Sequence, residues 1–142
     1  MKIIRDKEEL EGTCYIEVLP GKYLGQCWNE ESIFFDEEVF GYIEKSIENI
    51  FPEYDHYAFN EIHGDIWLVI IERLNRLVNL LDLNVTIELL KDHVYFIFGS
   101  SEDKFQQDFD NNAQRLREIL IDFQTWIKEQ LETQEYVSVL GI

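Results

Sequence analysis

DIWLVIIERLNRLVNLLD, from Asp65 to Asp82, is the stretch whose period decides how the rest of the chain is read. At 3.6 residues per turn, Ile66, Trp67, Ile70, Ile71, Leu74, Leu77, Val78 and Leu81 cover one broad side, and Leu68, Val69 and Leu80 widen it. Glu72, Asn75, Arg76 and Asn79 stand at i, i+3, i+4 and i+7, which leaves one narrow polar stripe. A helix apolar over most of its circumference is normally buried on several sides. Charge interrupts it too often for a membrane span, which needs roughly 20 mostly apolar residues. The stretch predicts a core helix.

Just before it, Tyr57, Phe59 and Glu61 alternate with Ala58, Asn60 and Ile62, the period of a strand. After it, NVTIELL (Asn84 to Leu90) and HVYFIF (His93 to Phe98) are separated by Lys91 and Asp92 and read as a hairpin. Val94 to Phe98, apolar on both faces, reads as a central strand, and His93 at the hairpin tip reads as exposed. Ser100 and Asp103 have capping-box spacing ahead of a long helix from about Glu102 to Glu132. Phe105, Phe109, Leu116, Ile119, Leu120, Phe123, Trp126, Ile127 and Leu131 supply its buried face. The closing YVSVLGI is β-branched and alternating, and is expected to join the sheet.

In the N-terminal half, Met1 to Gly12 is a charged lead-in with a short strand at Lys2 to Ile4. In CYIEVLPGKYLGQCW, Pro20 and Gly21 take the centre of a type II turn, because Pro fixes its φ and Gly accepts a positive one. That predicts a hairpin of Thr13 to Leu19 with Lys22 to Trp28. Tyr15 and Glu17 lie on its wet face, Ile16 and Val18 on its dry one. A connection follows, with a short strand at Ile33 to Phe35. Asp36 then caps a helix from Glu37 to about Ile50, with two acids in its first turn. Val39, Phe40, Ile43, Ile47, Ile50 and Phe51 form its buried stripe, Glu44, Lys45 and Glu48 its solvated side, and Pro52 its end. The expected architecture is one α+β domain over residues 1–142. It has a mostly antiparallel sheet built from two hairpins and a C-terminal strand, packed with three main helices.

A chain of 142 residues, 46% hydrophobic and 14% aromatic, has enough apolar material to form a core without disulfides or metal. The exceptional quantity is charge: 29 acids against 12 Lys and Arg, a formal net of -17. The residues through Gly64 carry 15 acids and 5 bases and the remainder 14 and 7, so the acidity is spread and not a detachable tail. Such a field repels nucleic acid phosphates and anionic membranes and speeds association with basic partners. Solubility is the plainer explanation. Self-repulsion at this density nevertheless costs stability, and a basic partner would offset that cost. The N-terminus lacks the apolar run of a signal peptide, and no spanning segment or lipidation motif follows, so the expected compartment is cytoplasmic. Cys14 and Cys27, both on the first predicted hairpin, read as free thiols.

Catalytic signatures are missing from the sequence: there is no GxSxG, Walker A loop, GxGxxG, HExxH or paired CxxC. His56, Glu61, His63 and Asp65 are metal-competent. Their spacing matches no zinc signature, however, and strand alternation puts His56 on the opposite face from Glu61 and His63. They read as surface residues in a polar loop, so no cofactor, metal or catalytic residue is expected. Carboxylate pairs are abundant, and nothing in the sequence sets one beside an apolar pocket to separate their pKa values.

What remains is acidity interleaved with aromatics, in CWNEESIFFDEE (Cys27 to Glu38) and FPEYDHY (Phe51 to Tyr57). Interfaces favour aromatic anchors, and basic partners need carboxylates opposite them. Trp28, Tyr54 and Tyr57 are the candidate anchors, against core packing as the plainer role. Glu30, Glu31, Asp36, Glu37, Glu38, Glu53 and Asp55 are the candidate charges, against solvated loops and helix starts.

The compact acidic α+β profile, the aromatic-rich N-terminal half and the amphipathic ending WIKEQLETQEYVSVLGI (Trp126 to Ile142) together resemble the small immunity proteins that accompany bacterial polymorphic and contact-dependent toxins. The resemblance implies a cytoplasmic, non-enzymatic monomer or weak homodimer. Such a protein binds a cognate toxin domain, basic if that domain is a nuclease, and has no nucleic acid or membrane partner. Two rival readings stand beside it: a nucleic-acid mimic that occupies DNA-binding proteins, and a small metal-dependent enzyme built on the segment from His56 to Asp65.

Overall fold

The computed structural model describes residues 1–142. Four strands form one antiparallel sheet in the order β2-β1-β4-β3, with β1 at Tyr15–Pro20, β2 at Ile33–Asp36, β3 at Phe59–His63 and β4 at Tyr136–Leu140. The C-terminal strand joins the sheet, as its alternating apolar pattern predicts, and takes an interior place in it: Val139 stands opposite Val18 on one side and Asn60 on the other. The N-terminus adds an isolated bridge between Ile4 and Phe34. The α+β class and the mostly antiparallel sheet hold.

One face of the sheet carries Ile16, Val18, Ile33, Phe35, Ile62, Val137 and Val139 into a core shared with the helices. Helix α2 (Gly64–Leu81) packs against both α1 (Glu37–Ile50) and α5 (Phe109–Leu131), as its broad apolar surface requires. Trp67 of α2 is fully buried, and its indole N–H donates to Val137 O at 2.9 Å, tying helix to strand. Phe123 of α5 lies 5.4 Å from the Phe35 ring and 6.0 Å from that of Trp67. Each such side chain stabilises the fold by about 1.5–3 kcal/mol through burial. Leu68 and Val69 do not widen the core face: they are 53% and 45% exposed. They lie four and three residues before Glu72, so the helical period itself puts them on the polar stripe. No helix is long and apolar enough to cross a membrane.

Several expected elements take other forms. Gly21 has the positive φ of a turn, 84°, but the chain beyond it does not return along β1. Both edges of β1 are occupied, by β2 and β4, so the second arm of the first hairpin is Ile33–Asp36 and not Lys22 to Trp28. Residues 22–32 instead fold across the other sheet face, which is therefore not wet: Glu17, Leu19, Phe34, Ser138 and Leu140 are all buried there. Cys14 and Cys27 are free and exposed.

The second predicted hairpin is absent. Thr86 Oγ1 accepts from Leu89 N at 3.3 Å and caps a short helix, α3 (Ile87–Leu90), which removes the first arm. His93 follows in a turn, half-buried, its N–H donating to Leu90 O at 2.9 Å. Val94 to Phe98 is an extended strip laid across α1 and not a central strand, with Tyr95 N donating to Gly41 O at 3.1 Å. A Cβ at Gly41 would come within 2.6 Å of Ile97 Cγ1, so only glycine lets the strip approach this closely. The long C-terminal helix breaks at Asp108 into α4 (Ser101–Gln107) and α5. Asn112 Nδ2 donates to Lys104 O and Phe105 O at the end of α4, and Asp108 accepts from Asn111, so local side chains satisfy the break. The capping box does not form: Ser100 makes no side-chain cap, and Ser101 Oγ turns to Glu38 instead.

Candidate functional site

Glu37 and Glu44 of α1 are seven residues apart, which sets both carboxylates on one side of the helix, two turns from each other. Phe51 and Pro52 end the helix, and the chain turns back over that side. It brings His56 between the two acids: Nε2 meets Glu37 Oε1 at 2.7 Å, and Nδ1 makes a short contact with Glu44 Oε1. The hydroxyl of Tyr54 donates to the same Glu44 oxygen at 2.7 Å. Asn60 fixes the loop from beneath: its Nδ2 donates to the carbonyls of Asp55, Ala58 and Val139, and its Oδ1 accepts from Asp55 N.

The helical period puts Glu44 on the solvated side of α1, yet it is 4% exposed because the loop after the helix covers it. Burial lifts its carboxyl above the usual range, and the bonds from Tyr54 and His56 only partly reverse the rise. Burial lowers the His56 imidazole, but the bonds to Glu37 and Glu44 outweigh it and hold the ring above its ordinary 6.5. Tyr54 is pushed well up, first by burial and then by the charge of Glu44. An imidazole facing two carboxylates satisfies both only as the doubly protonated cation. With both nitrogens engaged, neither is open to accept a proton from a substrate. Chemically, the arrangement serves to hold the loop to the helix.

The tie makes neighbours of two of the sequence clusters. Tyr57 stands out from it, 73% exposed, with its N–H on Asp55 Oδ1 at 2.8 Å. Glu53 and Asp55 are exposed beside it, whereas Tyr54, proposed as an anchor, is half-buried and committed to Glu44. On the other side of Glu37 opens a cavity of about 630 Å3, lined in part by Asp36, Glu38, Tyr42, Phe98 and Lys104. Burial there, with the Glu38 charge second, raises the Tyr42 phenol to about 12. Asp36 is exposed and sits at the helix N-cap position without a side-chain cap bond, and Glu38 accepts from Ser101 Oγ at 2.6 Å.

Trp28, Glu30 and Glu31 do not join this group. Glu30 is paired with Lys7 at 2.9 Å, which also raises the lysine's pKa, and Glu31 is exposed. Trp28, half-buried with φ 64°, belongs to a cage around Glu17. Its N–H bonds to the carboxylate, as do Asn29 N at 3.2 Å and Asn29 Nδ2 at 3.0 Å. The metal-competent residues do not gather into one group either, although His63 Nδ1 lies 3.7 Å from Asp65 Oδ2. Glu61 accepts from Tyr23 N at 3.0 Å, and His63 Nδ1 caps α2 by accepting from Asp65 N at 3.1 Å. His56 is neither a surface residue nor part of that set.

The sequence shows His56 only as a metal-competent residue of a polar loop and Glu44 as solvated, and their pairing is not visible in it. The available signal was the Glu37–Glu44 spacing on one helix face followed by a histidine just past the helix end. No family model, curated protein or solved structure matches the chain.

Proposed function

We propose that this chain is a non-enzymatic binding protein of the immunity type, which occupies a basic toxin domain and blocks it. The observation that carries the reading is the His56 tie. It holds the exposed Tyr57, Glu53 and Asp55 against the acidic start of α1, so an aromatic anchor and carboxylates share one fixed surface. A preorganised surface loses little entropy on binding, and a net charge of -17 steers a basic partner toward it. Trp28, Glu30 and Glu31 fall outside this surface, which centres on residues 36–38 and 53–57.

The test is capture by tagged full-length protein from its native lysate, washed at low and then moderate salt, followed by association kinetics with what is retained. One dominant basic toxin-like protein, whose association slows as salt rises, is the expected result. A spread of DNA-binding proteins lost at moderate salt would replace the reading with nucleic-acid mimicry. Retention of nothing would return the charge to a role in solubility.

A further inference from the structure

Beside the His56 tie, between the end of α1, the loop after it and the strip at Tyr95, lies a recess of about 490 Å3. Its carboxylates are Glu48, Glu53 and Asp55, and its rings are those of Tyr54, Tyr57 and Tyr95. Glu44 and His56 also border it, but they neutralise each other. Glu48, Glu53 and Asp55 have no ion-pair partner. Glu48 fixes one aromatic wall by accepting from Tyr95 OH at 2.7 Å, and Asp55 accepts from the backbone N–H of Tyr57 at 2.8 Å. Lys45 lies on the Tyr95 side, its ammonium 5.3 Å from the ring centroid and donating to Lys91 O at 3.2 Å, and it makes no ion pair with the three acids. Three carboxylates without an ion-pair partner thus border a space walled by tyrosine, and Tyr57 is 73% exposed.

We propose that this recess receives an arginine side chain of the partner protein, with the guanidinium against Tyr57 and its N–H groups directed to Glu53, Asp55 and Glu48. The assignment rests on the binding function proposed above and names the chemistry of its central contact. Carboxylates carried on two segments around an aromatic wall suit a flat cation with five donors. A lysine ammonium is a compact, strongly hydrated charge that can sit over one ring but offers no flat fork of donors to reach carboxylates on both segments.

The experiment is an NMR titration of the full chain with N-acetyl-L-arginine amide, reading the ring resonances of Tyr57 and Tyr95. Saturable shifts confined to the recess are expected. Binding should weaken about threefold in Tyr57→Ala, the scale of one exposed cation–π contact, and further in Glu53→Gln/Asp55→Asn. N-acetyl-L-lysine amide should bind several-fold more weakly. The substituted residues are exposed, and matching thermal unfolding of the variants verifies the fold. No saturable shift, shifts that the variants leave unchanged, or an equal response to the lysine probe would overturn the assignment. The two proposals fail separately. A partner captured equally by wild type and by the substituted chain removes the arginine contact and leaves the function. Arginine binding at the recess with no basic partner in the lysate removes the function and leaves the contact.

Discussion

Glu17 on β1 and Glu44 on α1 are both carboxylates buried beneath a loop, 2% and 4% exposed, and they are held by opposite kinds of donor. Glu17 gathers backbone N–H groups of Trp28 and Asn29 and the Asn29 amide, none of which titrates. Glu44 is held by a phenol and by His56, which does. Each converts an irregular segment into part of the fixed structure, residues 22–32 in one instance and 51–58 in the other. A buried charge is tolerated only when its partners are in place, so both loops are as firmly specified as a strand. The difference is that peptide dipoles act at every pH, while the imidazole's contribution depends on its proton.

The largest effect is expected at Glu17. Glu17→Ala leaves two backbone N–H groups and an amide without their acceptor, and hydrogen bonds to a charged group contribute about 1.5–3 kcal/mol each. A loss of about 4 kcal/mol in urea unfolding is expected, with Glu17→Gln losing less because one carbonyl oxygen remains. A loss below about 1 kcal/mol would mean that the 22–32 loop is held by other contacts.

His56→Ala comes next. It leaves Glu44 buried with only Tyr54 as donor, and removing one partner of a buried ion pair costs roughly 3–5 kcal/mol. Because His56 keeps some solvent contact, a loss of about 3 kcal/mol is expected, at the low end of that range. Replacing Glu44 and His56 together by leucine should recover part of it, since the buried Glu44 charge is then removed and only the part-exposed Glu37 and the Tyr54 hydroxyl lose a partner. An additive double variant would show that the two side chains do not act as a pair.

The pH dependence separates the cages more sharply, with a smaller effect. Folded His56 keeps its proton above the ordinary 6.5, so its stabilisation is complete below that pH and is lost as pH rises through the folded value. Glu44 has the same sign in a lower window: its raised carboxyl contributes fully below 4.5, and the contribution is lost as pH climbs through its folded value. Between pH 6 and 8 stability should therefore fall in wild type and in Glu17→Gln, and the fall should flatten in His56→Gln. Denaturant midpoints across that range decide the matter. An undiminished slope in His56→Gln would assign it to other groups.

These two cages also mark what the sequence made legible. Periodicity located α1 and α2, because each buries one broad apolar face, and alternation marked the run of β3 and the joining of the C-terminal strand to the sheet. It failed where a short polar side chain outcompetes an apolar pattern: Thr86 caps a helical turn inside NVTIELL, and the Asp108 break with Asn111 and Asn112 divides a helix that looked continuous. Period places both Glu17 and Glu44 on wet faces, since it assigns a face but does not say whether a loop later covers it. The candidate surface was half visible for the same reason. The acids and tyrosines of residues 36–38 and 53–57 stood out in the sequence, while the histidine that brings them together requires knowing where the chain turns back.

The smallest expected effect reads the Glu17 cage through a neighbour. Cys27 is exposed as a residue, yet partial burial of its thiol is the first cause that raises it and the negative charge of Glu17 the second, so it serves as a reporter of both. In a Cys14→Ser background, alkylation by iodoacetamide at pH 8 should be slowest in the otherwise native chain, because less of the thiol is ionised. Glu17→Gln removes the charge and should quicken the reaction by a small factor. Glu17→Ala should quicken it further, because release of the loop also removes the burial that is the larger cause. His56→Gln should leave the rate unchanged, since its cage holds a different loop. Equal acceleration by His56→Gln and Glu17→Gln would mean that the two loops open together, and the contrast between a dipole-held and a proton-held segment would then not describe this protein.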